Sequence, residues 1–268
     1  PPHFSGALNY QHVAKSVGQV TVPDGIVPAL RRVFTAVRNG RPRPAVVEIP
    51  SDVFGEEVEE FEYQPVVTAR SAADPQAIDE VAQVLVNSKR LLIYAGQGVH
   101  YAEAWSELRE LAELLEAPVT TSLQGKSAFP EDHHLALGSG GRSMPKPVHH
   151  FVQTSDVIFG IGCSFARTNY GIQFPSDKTV IHSTLDSADL NNTVEAQYAL
   201  VGDAQLTLSA LIEAVRERVG NESRGRIEAV TAEIEEQRNQ WLQTWQPYLD
   251  DESTPLSPYR VTRDLLAT

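Results

Sequence analysis

Between residues 74 and 219, short apolar runs alternate with amphipathic stretches, and this alternation constrains the fold more than any other feature. The runs are "RLLIYAGQG" (90–98), "PVTTSL" (118–123), "DVIFGIGC" (156–163), "TVIHSTLD" (179–186) and "ALVGDA" (199–204). Between and after them stand "AEAWSELRELAELLEA", "PVHHFVQTS" and "QLTLSALIEAVRERV", with "PQAIDEVAQVLVNS" ahead of the first run. An apolar run without polar alternation is a strand covered on both faces. Strands separated by helices must pair in parallel, with right-handed crossovers. The expectation is an α/β fold: a Rossmann-like doubly wound parallel sheet over residues 75–217, with helices on both faces.

The flanks read differently. "DGIVPALRRVFTAVRN" (24–39) carries Ile26, Val27, Leu30, Val33, Phe34 and Val37 on one helical stripe. Asp24 is placed as its N-cap and Gly40 just past its end. "AVVEIP" (45–50) reads as a short buried strand. Residues 55–74 are acidic and aperiodic, a linker. Residues 222–245 read as a long polar helix, and Ser257 with Pro258 as the start of another. The expected organisation is therefore 1–54, the end of one domain; 55–74, a linker; 75–217, the sheet domain; 218–253, a linker helix; and 254–268, the start of a further domain. Without an initiator Met, the chain reads as a fragment or a trimmed product.

Charge excludes some functions. Net charge is −13, which argues against nucleic acid or anionic lipid as partner, since both need concentrated Lys and Arg. The single cysteine, Cys163, rules out an internal disulfide and a thiolate zinc cluster. No apolar run approaches the roughly 18 residues of a membrane span, and no leader pattern opens the chain. A cytoplasmic setting is expected.

Three glycine-bearing strand ends are candidate sites. Gly96-Gln97-Gly98 lies between a strand and a helix, where free N–H groups hold phosphate. The third glycine of a dinucleotide fingerprint is replaced by Tyr101, so a plain turn accounts for it equally. "LGSGGRSMP" (137–145) adds Arg142, able to pair with phosphate, and reads either as a ligand loop or as a surface loop. "GIGCSFARTNYG" (160–171) imitates a nucleophile elbow around Ser164, but Ala166 stands in the fifth position and Asn169-Tyr170-Gly171 breaks the helix such an elbow requires. Cys163 is a reactive thiol or, more simply, a small buried residue. The His133-His134 and His149-His150 doublets have poor spacing for a chelate, so no metal site is assigned. Asp186, Asp189 and Asp203 end or follow strands, where an acid accepts from a ribose or caps a turn.

Taken in order, "GRPRPAVVEIPSDV", "LLIYAGQGV", "LAELLEAPVTTSLQGKSAFPEDHHLALG", "SDVIFGIGCSF", "IHSTLD" and "ALVGDA" resemble the acetolactate-synthase-like thiamine diphosphate-dependent enzymes. Residues 118–138 carry the most specific part of the resemblance. It implies three domains, pyrimidine-binding, central and diphosphate-binding, with this chain chiefly the central one. It implies a 2-oxo acid carboligase or decarboxylase, a homodimer or homotetramer, using thiamine diphosphate and Mg²⁺ held outside this chain. The family's cofactor-activating Glu would lie outside it too. The metal signature, G-D-G with a later Asn, has no counterpart, since no suitable Asn follows Gly202-Asp203-Ala204. No catalytic residue is expected here.

The resemblance also implies FAD or an ADP-like nucleotide on the central domain in some relatives. The positions carried over are Gly96, Gln97, Gly98, Thr121, Ser122, Leu123, Gly138, Gly141, Cys163, Asp186 and Asp203, with Arg142 able to pair with phosphate and Arg167 the arginine nearest the family's, though out of register. Two departures weaken the flavin reading: "GCSFART" replaces "GARFDDR", and Ser139-Gly140 replaces Met-His. The alternative is a stand-alone nucleotide-binding, structural or oligomerisation module of the same fold. Sirtuin-like deacylases share that fold, but their four-cysteine zinc site cannot be built here.

Overall fold

A computed structural model describes residues 5–220 and 223–267. The chain divides into two compact units between Ser71 and Ala72.

In the first unit α1 (Gly6–Tyr10) leads to β1 (Ser16–Gln19), which pairs in parallel with β2 (Ala45–Glu48). The Glu48 carboxylate accepts from Gly6 N–H at 3.1 Å and Ala7 N–H at 2.9 Å, so it caps α1. The amphipathic stripe forms α2 (Ile26–Arg38), which buries Ala29 and Val33. Asp24 is not its N-cap: it lies in a single 3₁₀ turn, Pro23–Gly25, and Gly25 takes the cap position without a side-chain bond. Gly40 follows the helix at φ +64°, the left-handed position that glycine fills freely. After α3 (Ser51–Phe54), residues 57–71 form no helix or strand.

The second unit is built on six parallel strands: β3 (Leu91–Ala95), β4 (Val119–Thr121), β5 (Ala136–Ser139), β6 (Val157–Ile161), β7 (Thr179–Thr184) and β8 (Tyr198–Val201). Their order is β5-β4-β3-β6-β7-β8. This is the doubly wound arrangement, reversing direction between β3 and β6. The five runs read from sequence form strands, and a sixth, β5, overlaps the start of the stretch read as a glycine-rich loop.

Helices cover both faces. On one face α4 (Pro75–Asn87), α6 (Trp105–Leu115) and α8 (Ala204–Val219) pack on Ile93, Val119, Phe159 and Ile181. Asp74 caps α4 through Gln76 and Ala77 N–H, and Asp203 caps α8 through Leu206 N–H. On α6, Leu108, Leu111, Ala112 and Leu115 recur at helical spacing and are fully buried or nearly so. On the other face α7 (Lys146–Thr154) and α9 (Ile227–Leu249) cover Leu92 and Leu137. Over Ile158 and Val180 the cover is irregular chain, with Phe165, Ile172 and Phe174 in place of a helix.

The expected helix start at residue 222 lies outside the described residues; α9 itself begins at Ile227. Its start is clasped by Glu116, whose carboxylate accepts from Ser223 Oγ at 2.6 Å and from the N–H groups of Arg224 at 2.8 Å and Arg226 at 2.5 Å. The last helix, α10 (Pro258–Leu266), is capped by Ser257 with Pro258 at its first position.

Candidate functional site

Parallel strands all end on one edge, so the loops after β3, β4, β5, β6 and β7 form a common rim. A doubly wound sheet binds ligands at that edge, beside the point where strand order reverses. Here that point lies between Ala95 and Ile161. After it come Gly96-Gln97-Gly98 and then α5 (Gly98–Tyr101), a single turn. Gly96 N–H donates to Ile161 O at 2.9 Å, and Gly98 N–H donates to Gly162 O at 2.8 Å.

The loop after β4 carries Thr121, Ser122 and Leu123. Thr121 is buried and its hydroxyl is 2.8 Å from Ser139 Oγ on β5. Ser122 is half-buried, and its hydroxyl approaches the phenol of Tyr94. Burial raises that phenol well above its ordinary range, with Cys163 adding to the rise and Ser122 opposing it, so Tyr94 stays protonated. Leu123 is 54% exposed and Gly141 packs beneath it. Gly138 sits in β5 at φ +91°. Arg142 is exposed, and its N–H donates to Tyr170 O at 3.0 Å, tying the loop after β5 to the loop after β6.

In the loop after β6, Cys163 lies below the rim among Tyr94, Ile158, Phe165 and Val180. Burial pushes its thiol up to about 12, so it is a protonated core group at neutral pH. His182 on β7 is 1% exposed; its Nε2 lies 2.8 Å from Cys163 O, and Phe165 packs edge-on against its ring. The carbonyl requires Nε2 to carry the proton. Burial lowers the His182 pKa, so the ring is neutral and Nδ1 is left without a partner. Arg167 is exposed, with its N–H donating to Thr193 Oγ1 at 3.2 Å. Asp186 accepts from Ala188 N–H at 3.0 Å, and Asp189 accepts from Thr184 Oγ1 at 3.1 Å. Asp203 is spent capping α8.

The structure thus brings the carried-over residues to one edge. Of their side chains, Gln97, Ser122, Leu123, Arg142 and Arg167 reach the surface, whereas Thr121, Cys163 and Asp203 are buried. Sequence reasoning did not single out Tyr94, His182 or Gly125, although a Cβ on Gly125 would lie 2.6 Å from Ala95 O beneath the same rim. Of these, only Gly125 carried a visible mark, a glycine shortly after a strand.

In the first histidine doublet the rings are engaged with neighbours. His133 Nδ1 accepts from Leu135 N–H at 3.1 Å and Nε2 faces Glu113 at 3.0 Å, with His134 stacked on its ring. No cluster of three or more His, Cys, Asp or Glu among the described residues can hold a metal ion. At the opposite edge, where α6 and α8 end, an open groove of about 790 Å³ is lined by Glu110, Glu113, Glu116, His134 and Arg216. Its carboxylates are committed: Glu110 to Arg216, Glu113 to Arg109 and His133, Glu116 to the start of α9.

Comparison with known proteins places this geometry. Residues 78–211, the span holding all six strands, match the family described as thiamine pyrophosphate enzyme, central domain. A protein named "Probable acetolactate synthase large subunit" from Methanocaldococcus jannaschii is 30% identical over 273 residues, covering 96% of this chain and 44% of that protein. A glyoxylate carboligase from Escherichia coli O157:H7 is 31% identical over 224 residues, covering 79% of this chain and 37% of its own length. The crystal structure of benzoylformate decarboxylase from Polynucleobacter necessarius shares the fold, with a TM-score of 0.66 at 22% identity, covering 82% of this chain and 42% of that one. The chain spans less than half the length of these relatives. No helix among the described residues is long and apolar enough to cross a membrane.

Proposed function

Because the chain belongs to the thiamine pyrophosphate enzymes through their central domain, we propose that it is the central part of a 2-oxo acid carboligase or decarboxylase resembling acetolactate synthase. The observation that carries this reading is the coincidence of the matched span with the complete six-stranded sheet. The names of the relatives, acetolactate synthase and glyoxylate carboligase, support carbon–carbon bond formation from small 2-oxo acids.

Thiamine diphosphate supplies carbanion stabilisation beside a carbonyl in such reactions. We assign neither it nor Mg²⁺ to any residue of this chain, and no catalytic residue either. The contribution of residues 72–267 is a rigid frame: a sheet buried on both faces, with rim loops tied to one another through Arg142 and Tyr170. The rim does not fit FAD or an ADP-like group held as dinucleotide folds hold one. The Gly96 and Gly98 amides are bonded within the chain, and Asp203 is turned into a helix cap. A small 2-oxo acid as substrate, a homodimer or homotetramer and a cytoplasmic setting complete the reading, with neither nucleic acid nor membrane as partner.

The test is to assay a polypeptide of the relatives' length containing this chain with thiamine diphosphate, Mg²⁺ and either pyruvate or glyoxylate. Coenzyme-dependent loss of the 2-oxo acid is expected, and none from the 268-residue chain alone. Inertness of the longer polypeptide across a panel of 2-oxo acids would sink the proposal. Turnover by the short chain would sink the absence of catalytic groups.

A further inference from the structure

The turn after β3 has the residues of a phosphate cradle, yet its surroundings assign it another task. We infer that Gly96 and Gly98 form a backbone seam with Gly162 and Cys163 that closes the switch point of the sheet, and that they are not ligand-binding glycines.

Three independent observations converge on the seam. The first is space. A Cβ on Gly96 would lie 2.6 Å from Cys163 Cα and collide with Gly162 O; on Gly98 it would lie 2.7 Å from Gly162 Cα. Real Cβ atoms do not sit so close, so the missing side chains make room for the facing loop, not for a ligand. The contact is reciprocal: a Cβ on Gly162 would meet Val99 N at 2.7 Å, and Gly162 itself takes φ +61°, which glycine adopts at little cost.

The second is hydrogen bonding. A pyrophosphate cradle needs N–H groups pointing at solvent. Here Gly96 N–H is bonded to Ile161 O and Gly98 N–H to Gly162 O. Removing either from its carbonyl to reach an anion would strand that carbonyl. The helix that follows, α5, is one turn long and adds little field.

The third is support from below. His182 donates through Nε2 to Cys163 O, and Phe165 fills the space over Gly160. The seam therefore rests on the buried cluster of Tyr94, Cys163, Phe165 and Val180. Gly125 closes it from a third loop by packing on Ala95 O.

Amide hydrogen exchange of the nucleotide-free protein tests this directly, resolved at Gly96 and Gly98 by NMR. Both amides are expected to exchange at least about 100-fold more slowly than an unstructured peptide, because they are bonded and covered. Adding FAD, ADP or NAD is expected to leave those two rates unchanged, whether or not a nucleotide binds elsewhere on the rim. Amides that exchange freely in the absence of nucleotide overturn the seam, and so does their slowing when one of the three is added. Gly98→Ala provides the second arm. It is expected to lower Tm by more than about 5 °C without any nucleotide present, whereas Gln97→Ala leaves Tm unchanged. A Gly98→Ala protein with the original Tm would overturn the inference.

Discussion

The unit that ends at Ser71 pairs two four-residue strands and buries Val20, Ala29, Val33 and Val53. The unit that begins at Ala72 pairs six strands and buries a continuous apolar layer on each face. The local grammar is the same in both: a parallel strand pair crossed by an amphipathic helix. The difference lies in how many neighbours share each buried side chain. A two-stranded sheet is marginal by itself, because too little apolar area leaves water to offset chain entropy. Phe54 at 76% and Val67 at 86% exposure belong to the first unit, whereas Phe159, Ile158 and Ile161 in the second are completely covered. The pattern that makes an element is therefore not what makes it stable.

The sharpest way to break that contrast is to truncate one core side chain in each unit. Leu111→Ala on α6 should destabilise the larger unit by about 2–5 kcal/mol, read as a fall in denaturant midpoint. Glu116→Ala should cost about 1–3 kcal/mol, since it strands the Arg224 and Arg226 N–H groups at the start of α9. Glu116→Gln should recover part of that loss. Val33→Ala in the smaller unit should cost only about 1 kcal/mol by the same unfolding measurement. An equal loss at Val33 and Leu111 would erase the distinction between the units.

The smallest expected effect is in acid. Burial works against the charged forms of Glu116 and Glu233, but hydrogen bonds outweigh it, from Ser223 and the Arg226 and Arg224 amides to the first, and from Arg90 and His150 to the second. Both carboxyls therefore lie below the ordinary glutamate range. A depressed carboxylate gives stability that is complete above the unfolded pKa and lost as pH falls through the folded one. Glu233→Gln should lower Tm modestly in the neutral region and flatten its decline below about pH 4.5, so that the two proteins converge in acid. A variant whose acid limb remains as steep as before would remove Glu233 from the account.

Much of the larger unit was legible because long helices with regular stripes and fully apolar strands need no distant information. Helix α8 is an example, although the sequence offered Asp203 as a cofactor residue and the structure uses it as that helix's cap. β5 was not legible: Ala136–Ser139 is short and ends in Gly138-Ser139, and only pairing with β4 makes it a strand. β1 was hidden for a similar reason, since Gly18 packs on Ala29 and Val33 of α2 and offers no apolar mark of its own. Asp24 was misplaced because a proline-led 3₁₀ turn precedes the helix. At the rim, the strand ends announced where the candidate residues gather. What faces Gly96 could not be read locally, because Gly162 comes from a distant part of the chain.

That same separation has a kinetic consequence. β3 and β6 are the central neighbours of the sheet, yet all of residues 96–156 lie between them, including β4, β5, α6 and α7. Bringing the two strands together closes a large loop before most of the reward for doing so exists. Sheets assembled from such remote pairings form slowly, in milliseconds to seconds, compared with the microseconds open to helical bundles. The middle of this sheet is thus the place where refolding should be rate-limited, and where newly made chain stays longest with its sticky strands unpaired.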